Sequence, residues 1–425
     1  MNYQYQSIRG MHDYMPEETE YLNFLEEKIK KILKSYFFSE IRFPILEKTD
    51  IFNKIIGNYT DIIQKEMYSF LDKKKNSISL RPEGTTSCIR ACIQNNIFQI
   101  NKIQKLWYLG PMFRYERPQK GRFRQFSQFG IENFGSFNII TDFELLKLTI
   151  YIWKSLNILH LLKLEINSIG TVNSRKKYCL DLKTYLQRYE SQFNPITKKL
   201  LYENPIRLLD NKCLKIQNLI SKGPCLIDYL NKKSRDRFKN LCFFLKHNKI
   251  SYKINYQLVR GLDYYNDTVF EWKTNLLGSQ NTVCAGGRYD TLVENLGGPK
   301  IPAIGCAIGM ERLLLLYKLD NLKKFFLFSK IRINILCKNE LYNFFVLKIA
   351  EKLRHQWPNL YIKTNFINYN FSQDIKNSLL NHTKFLLILK ENELFKNKIV
   401  FNNLFTQTKS IINFNRIFKK PCIFI

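Results

Sequence analysis

The sequence predicts an α/β protein with a mostly antiparallel sheet flanked by helices, a helical insertion and a small C-terminal α/β domain. Three observations predict this class. Strand and helix patterns interleave up to about residue 168 and return at residue 254, whereas Lys-rich helical patterns fill the residues between. After residue 326 the patterns alternate as βαβαβ. We therefore expect one domain over residues 1–325, interrupted by the insertion at about 169–253, and a second domain over residues 326–425.

The first predicted element is an amphipathic helix over residues 20–37, where apolar residues recur near helical spacing. Residues 38–52 (FSEIRFPILEKTDIF) follow this helix. Pro44 within them cannot donate to a sheet ladder, so we expect a strand at a sheet edge or at a subunit boundary. At the far end of the first domain, residues 320–330 (DNLKKFFLFSK) are interpreted as a linker.

Residues 105–135 (KLWYLGPMFRYERPQKGRFRQFSQFGIENFG) are typical of two strands around a basic loop. Alternation along the first strand predicts that Arg114 and Glu116 share a face. On the second strand, one face is expected to carry Arg124, Phe126, Gln128, Gly130 and Glu132. The glycine in this face predicts a gap where a small ligand would lie against the backbone. Such a face lines either a polar pocket or solvent, and the pattern alone leaves both readings open.

Residues 79–92 (SLRPEGTTSCIRAC) predict a strand that ends just before a helix begins. Thr85 or Thr86 is expected to cap the first turn of that helix. Glu83 would then lie at the junction, where its carboxylate can accept from an ammonium ligand. Alternatively, Glu83 simply complements the helix dipole.

Two arginines occupy positions that require a nearby anion. Arg260 opens LVRGLDYYNDTVFEW (residues 258–272), an otherwise strand-like stretch, and Asp263 is the alternative structural partner for its guanidinium. Arg312 follows Gly305 and a second glycine in GCAIGMERLLLL and lies in the first turn of a predicted helix. A cation is unfavourable at that end of a helix unless the end faces phosphate.

The composition excludes some classes and leaves others open. The net charge of +31 indicates either a polyanionic partner such as a nucleic acid or drift toward Lys-rich coding. The ten cysteines form no Cys-x-x-Cys pair and there are only five histidines, so no structural zinc is expected. No run of 18 apolar residues and no signal-peptide core is found, so we expect a cytoplasmic protein with reduced thiols and no membrane span.

Together these segments resemble the signature motifs of the class II aminoacyl-tRNA synthetases, and specifically of the histidyl-tRNA synthetases. Residues 38–52 are similar to the first motif, which serves dimerisation in that class, residues 110–126 to the second, and residues 305–316 to the third. Residues 258–272 and 284–293 (CAGGRYDTLV) resemble two peptides peculiar to the histidine enzymes. The resemblance covers nearly the whole chain in order.

The resemblance implies that histidine and ATP form histidyl-adenylate with release of pyrophosphate, and that the histidyl group then passes to tRNA(His). It implies a homodimer, and Mg²⁺ that arrives with ATP rather than a metal held by protein ligands alone. Arg114 and Arg260 would be catalytic and flank the α-phosphate. Arg122 and Arg312 would hold the outer phosphates, and Gly305 would border ATP.

The resemblance also implies a histidine pocket. Glu83, Thr85 and Gln128 would receive the α-ammonium group. A neutral imidazole offers one donor and one acceptor, so the family pattern pairs an accepting carboxylate with a donating hydroxyl. The residues in these ring-binding roles would be Glu132 and Tyr265, with Tyr289 completing the pocket and with Tyr108 and Tyr264 as packing residues.

The tRNA would be bound at two places if the resemblance holds. Arg117 and Gln119 in the loop of the second motif are candidates for contacts to the acceptor end, because their side chains suit a guanine edge. The C-terminal domain would bind the anticodon. That domain departs from the family pattern at its predicted second helix, residues 371–383, so no anticodon contacts are assigned. Ser127 and Asp267 also depart from the common residues.

Two alternatives belong to other functional classes. One is a regulatory paralogue that assists ATP phosphoribosyltransferase, which is expected to lose part of the histidine motifs and the C-terminal domain. The other is a non-catalytic tRNA-sensing module, which has no need of the four arginines. This sequence keeps the histidine motifs, the C-terminal domain and those arginines, so we favour the ligase.

Overall fold

The computed structural model describes residues 5–57, 60–101, 103–211, 213–278, 281–328, 332–337, 339–364, 376, 378 and 383–419. The chain divides into two compact units, Met1–Asp320 and Asn321–Ile425. Among the helices in the described ranges, none is both long enough and apolar enough to cross a membrane.

The first unit contains a large sheet and a small one. Its strands are β1 (Ser39–Glu40), β2 (Leu46–Lys48), β3 (Ser69–Leu71), β4 (Ser77–Leu80), β5 (Gln104–Phe113), β6 (Gln125–Phe134), β7 (Lys163–Ser168), β8 (Lys253–Ile254), β9 (Asn266–Lys273), β10 (Thr282–Arg288) and β11 (Ala303–Gly309). The eight-stranded sheet has the order β1-β5-β6-β11-β10-β9-β7-β8, and β2-β4-β3 form the small sheet. Only the outermost pairs of the large sheet, β1–β5 and β7–β8, are parallel, which confirms the predicted mostly antiparallel sheet.

Helices flank the large sheet and fill the insertion. They are α1 (Pro16–Ser35), α2 (Thr49–Ile56), α3 (Thr85–Gln94), α4 (Ile97–Ile100), α5 (Ile139–Ser155), α6 (Val172–Gln187), α7 (Pro195–Glu203), α8 (Leu214–Ile220), α9 (Lys232–His247), α10 (Leu292–Asn295) and α11 (Met310–Phe328). Helix α5 packs against α1 and α9, and its Trp153 meets Trp272 of β9 edge to face at 6.3 Å. Helices α6 to α9 lie between β7 and β8, where the sequence predicts the insertion.

Some predicted boundaries are wrong. Strand β5 ends at Phe113 and β6 begins at Gln125, so Arg114, Glu116 and Arg124 lie in the connecting loop rather than on strands. The loop is nevertheless fixed at its base, because the main-chain nitrogen of Arg114 donates to the carbonyl of Arg124 at 2.9 Å. Helix α11 extends to Phe328, so the predicted linker over residues 320–330 is helical over most of its length.

The predicted gap at Gly130 is also wrong. Gly130 pairs with Tyr108 across β5 and β6, and the Tyr108 ring occupies the space where a Gly130 side chain would be. The same ring also leaves no room for a side chain on Gly84, at the start of α3. Both glycines therefore make room for a protein side chain rather than for a ligand.

The C-terminal unit contains a five-stranded sheet. Its elements are β12 (Arg332–Cys337), α12 (Asn343–Gln356), β13 (Tyr361–Thr364), β14 (Phe385–Leu389), α13 (Glu391–Leu394), β15 (Lys398–Asn403), β16 (Thr408–Asn413) and α14 (Phe414–Lys419). Strands β13, β12 and β14 are parallel neighbours, and β15 and β16 add antiparallel strands that the sequence reading does not predict. The predicted helix at residues 371–383 lies almost entirely outside the described residues.

A buried ion-pair network joins the sheet to the insertion. Arg288 of β10 is completely buried and pairs with Asp142 of α5 at 3.1 Å and with Asp290 at 2.8 Å. Asp142 also pairs with Arg237 of α9 at 2.8 Å. Because a buried charge is tolerated only when it is paired, this network requires the three elements to stay together.

We expect Arg288→Met to destabilise the protein by about 3 kcal/mol, because two carboxylates lose their buried partner while the volume is kept. Urea unfolding followed by circular dichroism measures the change. Arg188→Met, at an exposed position of the insertion, is the matched control and should leave the midpoint unchanged. An Arg288→Met protein as stable as the control would show that the network contributes no net stability.

Candidate active site

Four arginines from distant parts of the chain line one cavity of about 290 Å³. Arg114 and Arg122 come from the loop after β5, Arg260 from the segment before β9, and Arg312 from the first turn of α11. The loop after β5 and the segment before β9 form few of the main-chain hydrogen bonds found in helices and sheets. Side-chain contacts therefore determine where the guanidinium groups of these regions lie.

Two of the arginines are neutralised by carboxylates within the cavity wall. Arg122 forms an ion pair with Glu116, and Arg260 forms one with Glu271 of β9. The alternative partner considered for Arg260, Asp263, is wrong, since Asp263 pairs with Arg207 at 2.6 Å. Burial is the largest influence and lowers the pKa of the Arg260 guanidinium, but Glu271 together with Tyr265 and Tyr264 outweighs burial, so the pKa is raised.

The other two arginines donate to main-chain carbonyls. The guanidinium of Arg114 donates to the carbonyl of Pro82 at 2.8 Å, and that of Arg312 donates to Gly121 at 2.9 Å and to Thr282 at 2.8 Å. Carbonyl acceptors orient a guanidinium without cancelling its charge. Arg114 also lies 3.9 Å from Glu116, a longer contact than the ion pair of Arg122 with the same carboxylate. The charge of Arg114 is therefore balanced less closely than that of Arg122.

The arginines repel one another through the cavity. Burial, followed by the charges of Arg114 and Arg122, lowers the pKa of Arg312 to about 10. Burial also lowers the pKa of Arg114, and the charge of Arg260 adds to this effect. A polyanionic ligand between these groups would relieve the repulsion, which is the electrostatic property of a phosphate site.

Glu132 is a buried carboxylate surrounded by hydroxyl groups rather than by cations. It accepts from the hydroxyls of Thr85 at 2.8 Å and Tyr108 at 3.1 Å, and also from Tyr289. Burial outweighs these hydrogen bonds and raises the pKa of Glu132 to about 8. Tyr108, predicted only to pack, therefore also donates to this carboxylate.

Gly305 gives the Glu132 carboxylate its space. The two residues are directly paired between β6 and β11, and a side chain on Gly305 would contact the Glu132 carboxylate and the Tyr289 hydroxyl. Gly305 also lines the cavity. Its immediate neighbours thus belong to the predicted histidine set, although the resemblance implies a contact with ATP.

Glu83 caps helix α3. Its carboxylate accepts from the main-chain nitrogens of Thr85 and Thr86, each at 2.8 Å, and the N-cap position is Gly84. The prediction that a threonine caps this helix is wrong. The helix-dipole alternative for Glu83 is observed, and its carboxylate still faces the cavity.

Tyr265 brings a hydroxyl to the same cavity. Burial raises its pKa to about 12, so the hydroxyl stays protonated and can donate. The Arg260 guanidinium carbon lies 5.8 Å from the centre of the Tyr265 ring. The centres of the Tyr264 and Tyr265 rings lie 4.6 Å apart. Tyr264 thus packs against Tyr265 as predicted.

Gln128 lies near the arginine end of the cavity. It pairs with Gly309, just before α11, whereas Glu132 pairs with Gly305. Gln128 and both glycines line the cavity, whereas the predicted residues Glu132 and Tyr289 are not among its lining residues. Four residues along a strand correspond to about 13 Å. The cavity therefore runs along β11 from Gly305, which lies against Glu132, to Gly309 at the start of α11.

The remaining predicted residues lie at its margin. Arg117 and Gln119 are exposed in the loop after β5 and are not among the residues that line the cavity. Gln119 is bound through its main chain to Arg122, at 3.1 Å and 2.8 Å.

Sequence reasoning missed several residues that shape the site. The sequence pattern puts Glu116 on a strand face but does not predict its ion pair with Arg122. Nor does it predict Glu271 as the partner of Arg260. Glu271 was detectable as the acidic residue within the apolar stretch TVFEW. Glu311, beside Arg312, accepts from the Tyr14 hydroxyl and from the main-chain nitrogen of Ser127, both at 2.7 Å.

The departure at Asp267 has a structural role. Asp267 is the second residue of β9 and has a φ of 47°, and its carboxylate accepts from the hydroxyl of Ser234 in the first turn of α9. It therefore joins the large sheet to the insertion.

The chain is similar to known proteins in both sequence and fold. A family model described as histidyl-tRNA synthetase matches residues 10–174 and 223–313. The histidine–tRNA ligase of Buchnera aphidicola subsp. Schizaphis graminum is 46% identical over 430 residues, which cover 99% of both chains. The chain belongs to the histidyl-tRNA synthetase family.

Two further relatives cover the C-terminal unit, which the family model leaves out. The histidine–tRNA ligase of Buchnera aphidicola subsp. Baizongia pistaciae is 47% identical over 406 residues, covering 94% of this chain and 93% of that relative. The structure of apo histidyl-tRNA synthetase from S. aureus superposes with a TM-score of 0.79 at 31% identity, covering 98% of this chain and 100% of that one. The family similarity thus extends over both units.

The pKa of Glu132 predicts a pH dependence of stability. Because its pKa is raised in the folded state, the folded protein keeps a proton that the unfolded chain releases. Stability should therefore fall by a few kcal/mol as pH rises from about 4.5 to about 8, and level off above that. Urea unfolding of the ligand-free protein across this range measures the slope.

Glu132→Gln should flatten this slope, because the amide does not titrate. Other buried carboxyls contribute to the wild-type profile, so the difference between the two proteins is the informative quantity. Glu294→Gln, at an exposed position, is the matched control. Parallel profiles for wild type and Glu132→Gln would contradict the raised pKa.

Proposed function

We propose that this chain joins L-histidine to tRNA(His) through a histidyl-adenylate, releasing pyrophosphate and then AMP. The observation that carries the proposal is one cavity lined by four arginines, with the buried Glu132 carboxyl group lying directly behind Thr85, Tyr108 and Gly305 of its wall. The arginines suit a triphosphate, and the Glu132 group suits a polar amino acid side chain. Family membership supports the same reaction.

Histidine selection would rest on Glu132 and Tyr265. The imidazole ring would donate to the Glu132 carboxylate and accept from the Tyr265 hydroxyl, with Tyr289 beside the carboxylate. Glu83, Thr85 and Gln128 would hold the α-ammonium group. Amino acids that lack the imidazole pattern would leave these buried groups unpaired, which disfavours their binding.

Adenylate formation would depend on charge and position rather than on a protein acid or base. The histidine carboxylate attacks the α-phosphorus of MgATP, and pyrophosphate leaves from the opposite side. Arg114 and Arg260 would stabilise the charge on the α-phosphate, and Arg122 and Arg312 would bind the outer phosphates. Mg²⁺ enters as part of the nucleotide substrate.

The carboxylates available to that Mg²⁺ are few. Within the described residues, no group of three or more His, Cys, Asp or Glu side chains is arranged to hold a metal ion. Four carboxylates line the cavity: Glu83, Glu116, Glu271 and Glu311. Glu116 and Glu271 are paired with arginines, and Glu83 and Glu311 already accept hydrogen bonds from the protein. This donor set fits a metal held mainly by phosphate oxygens, with at most one or two protein carboxylates.

The tRNA would meet both units. The exposed Arg117 and Gln119 would contact the acceptor end near the cavity, and residues 326–425 would bind the anticodon. The net charge of +31 is consistent with a tRNA partner. A tRNA ligase acts where translation occurs, which supports a cytoplasmic location.

Amino-acid-dependent ATP–pyrophosphate exchange tests the proposed function. We expect exchange with histidine alone among the standard amino acids. Arg260→Ala should slow it by about 10²-fold or more, because a donor to the charge of the transition state is lost. Arg188→Ala, at an exposed position, is the matched control and should exchange at the wild-type rate.

The outcome separates the alternatives. A folded protein that binds tRNA(His) but exchanges with no amino acid would instead favour the tRNA-sensing module. A protein that neither exchanges nor binds tRNA, but activates ATP phosphoribosyltransferase, would favour the regulatory paralogue. Exchange with another amino acid would contradict the roles proposed for Glu132 and Tyr265.

We also propose that the protein is a homodimer. The small sheet and the residue before it expose apolar side chains at Ile45, Leu46, Phe70 and Leu71, with exposed fractions between 41% and 65%. Leu46 and Phe70 lie on one face of the sheet and Leu71 lies on the other. Exposed apolar side chains concentrated in one small element are typical of a covered surface. A second copy of the chain is the proposed occupant, because residues 38–52 also match the motif that serves dimerisation in the family.

We expect Leu71→Glu to weaken the dimer, because a charge would be placed in the apolar contact. Sedimentation velocity over a range of protein concentrations measures the change. Leu180→Glu alters a similarly exposed leucine on α6 and should not affect assembly. A wild-type monomer, or equal assembly of the two variants, would contradict the proposed surface.

A further inference from the structure

One side chain of the helical insertion, Arg207, binds the segment at Arg260 itself. Arg207 lies in a short 3-10 helix of the insertion, Pro205–Asp210. Its guanidinium donates to the main-chain carbonyl of Arg260 at 2.9 Å and to the Asp263 carboxylate at 2.6 Å. One side chain therefore binds both the main chain at the proposed catalytic arginine and a side chain three residues later.

Asp263 is itself held from two further directions. Its main-chain nitrogen donates to the carbonyl of Ile56 at 3.1 Å, at the end of α2. Its carboxylate accepts from the side-chain amide of Asn204 at 3.3 Å and lies against Gly57, where a side chain would collide with it. Asp263 thus joins α2, the insertion and the segment before β9.

A second insertion residue binds the same segment. Arg175 of α6 donates to the carbonyls of Asp263 at 3.3 Å and Tyr265 at 2.5 Å. Between Ile254 and Asn266 the chain forms neither helix nor strand. No sheet ladder satisfies the carbonyls of this segment. Those of Arg260, Asp263 and Tyr265 accept from side chains of the insertion, whereas those of Tyr256 and Leu258 accept from Asn167 of β7.

Arg207 lies outside the cavity, whereas Arg260 lies within its wall. The Arg207 side chain is 14% exposed, so its charge-assisted bonds are largely shielded from water. Arg260 in turn reaches Glu271 across the cavity wall. Any effect of Arg207 on the chemistry must pass through the position of the segment.

We propose that Arg207 is a positioning residue for Arg260. By fixing the Arg260 carbonyl and Asp263, it sets the direction in which the Arg260 side chain leaves the main chain, and so the placement of its guanidinium at the α-phosphate. The insertion thereby helps to build the adenylation site. This inference rests on the proposed function.

We expect Arg207→Ala to lower kcat for histidine-dependent pyrophosphate exchange by about 10- to 100-fold, because small displacements of a charge-stabilising group are costly. KM for ATP and for histidine should change by less than about threefold, since the contacts within the cavity remain. Arg207→Lys should recover part of the activity, because lysine keeps one ionic contact but not the fork of donors.

Arg235→Ala is the matched control. Arg235 donates only to carbonyls of the insertion itself, at Asp228 and Leu230, each at 3.4 Å. Its removal should leave exchange at the wild-type rate. Rates are divided by the concentration of active sites from a burst titration, so that loss of folded protein is not counted as loss of kcat.

A double variant separates positioning from a general structural role. If Arg207 acts through Arg260, Arg207→Ala should add less than about a threefold loss in an Arg260→Ala background. The full loss of the single variant, repeated in that background, would overturn the inference. So would wild-type kcat in Arg207→Ala, or a change in thermal stability without a change in kcat. Absence of exchange in the wild type would instead overturn the proposed function.

Discussion

The pairing of partly buried arginines with buried carboxylates is the constraint on which the rest of the structure depends. Arg260 pairs with Glu271 and Arg122 with Glu116, so the segment before β9 and the loop after β5 are held to their neighbours by charge. Without these partners, the cations would pay the full cost of desolvation next to one another. The shape of the cavity therefore depends on these ion pairs as much as on the strands of the sheet that form its floor.

Glu132, behind the cavity wall, meets the same constraint differently. Among the described residues it takes part in no ion pair, and it accepts hydrogen bonds from three hydroxyl groups instead. These bonds stabilise the charged carboxylate only in part, so the pKa of Glu132 rises. Thr85 and Tyr108, which donate to Glu132, line the cavity, so this part of the wall carries much less charge than the part formed by the arginines.

The sequence was sufficient for the fold class and for most elements, because alternation, helical periodicity and glycine positions are local properties. Through the family resemblance, the sequence also predicted one phosphate site that contains Arg114, Arg122, Arg260 and Arg312, and the structure places these four residues around one cavity. Sequence-based prediction was wrong where the contact is made by a residue far away in the chain. The Tyr108 ring fills the space at Gly130, and Glu271 rather than Asp263 pairs with Arg260. No local pattern records such contacts, and Arg207 lies 53 residues from the carbonyl that it binds.

The ion pairs in the cavity wall also bear on which anions can enter. Glu116 and Glu271 are paired with two of the arginines proposed to bind phosphate, so an incoming phosphate would compete with these carboxylates. Inorganic phosphate or sulfate has one set of oxygens and would gain little by displacing one carboxylate. A nucleotide that contacted several arginines at once would gain from each contact within one molecule. The acidic residues that weaken every individual phosphate contact would therefore sharpen the preference for a long polyanion over the simple anions that surround it.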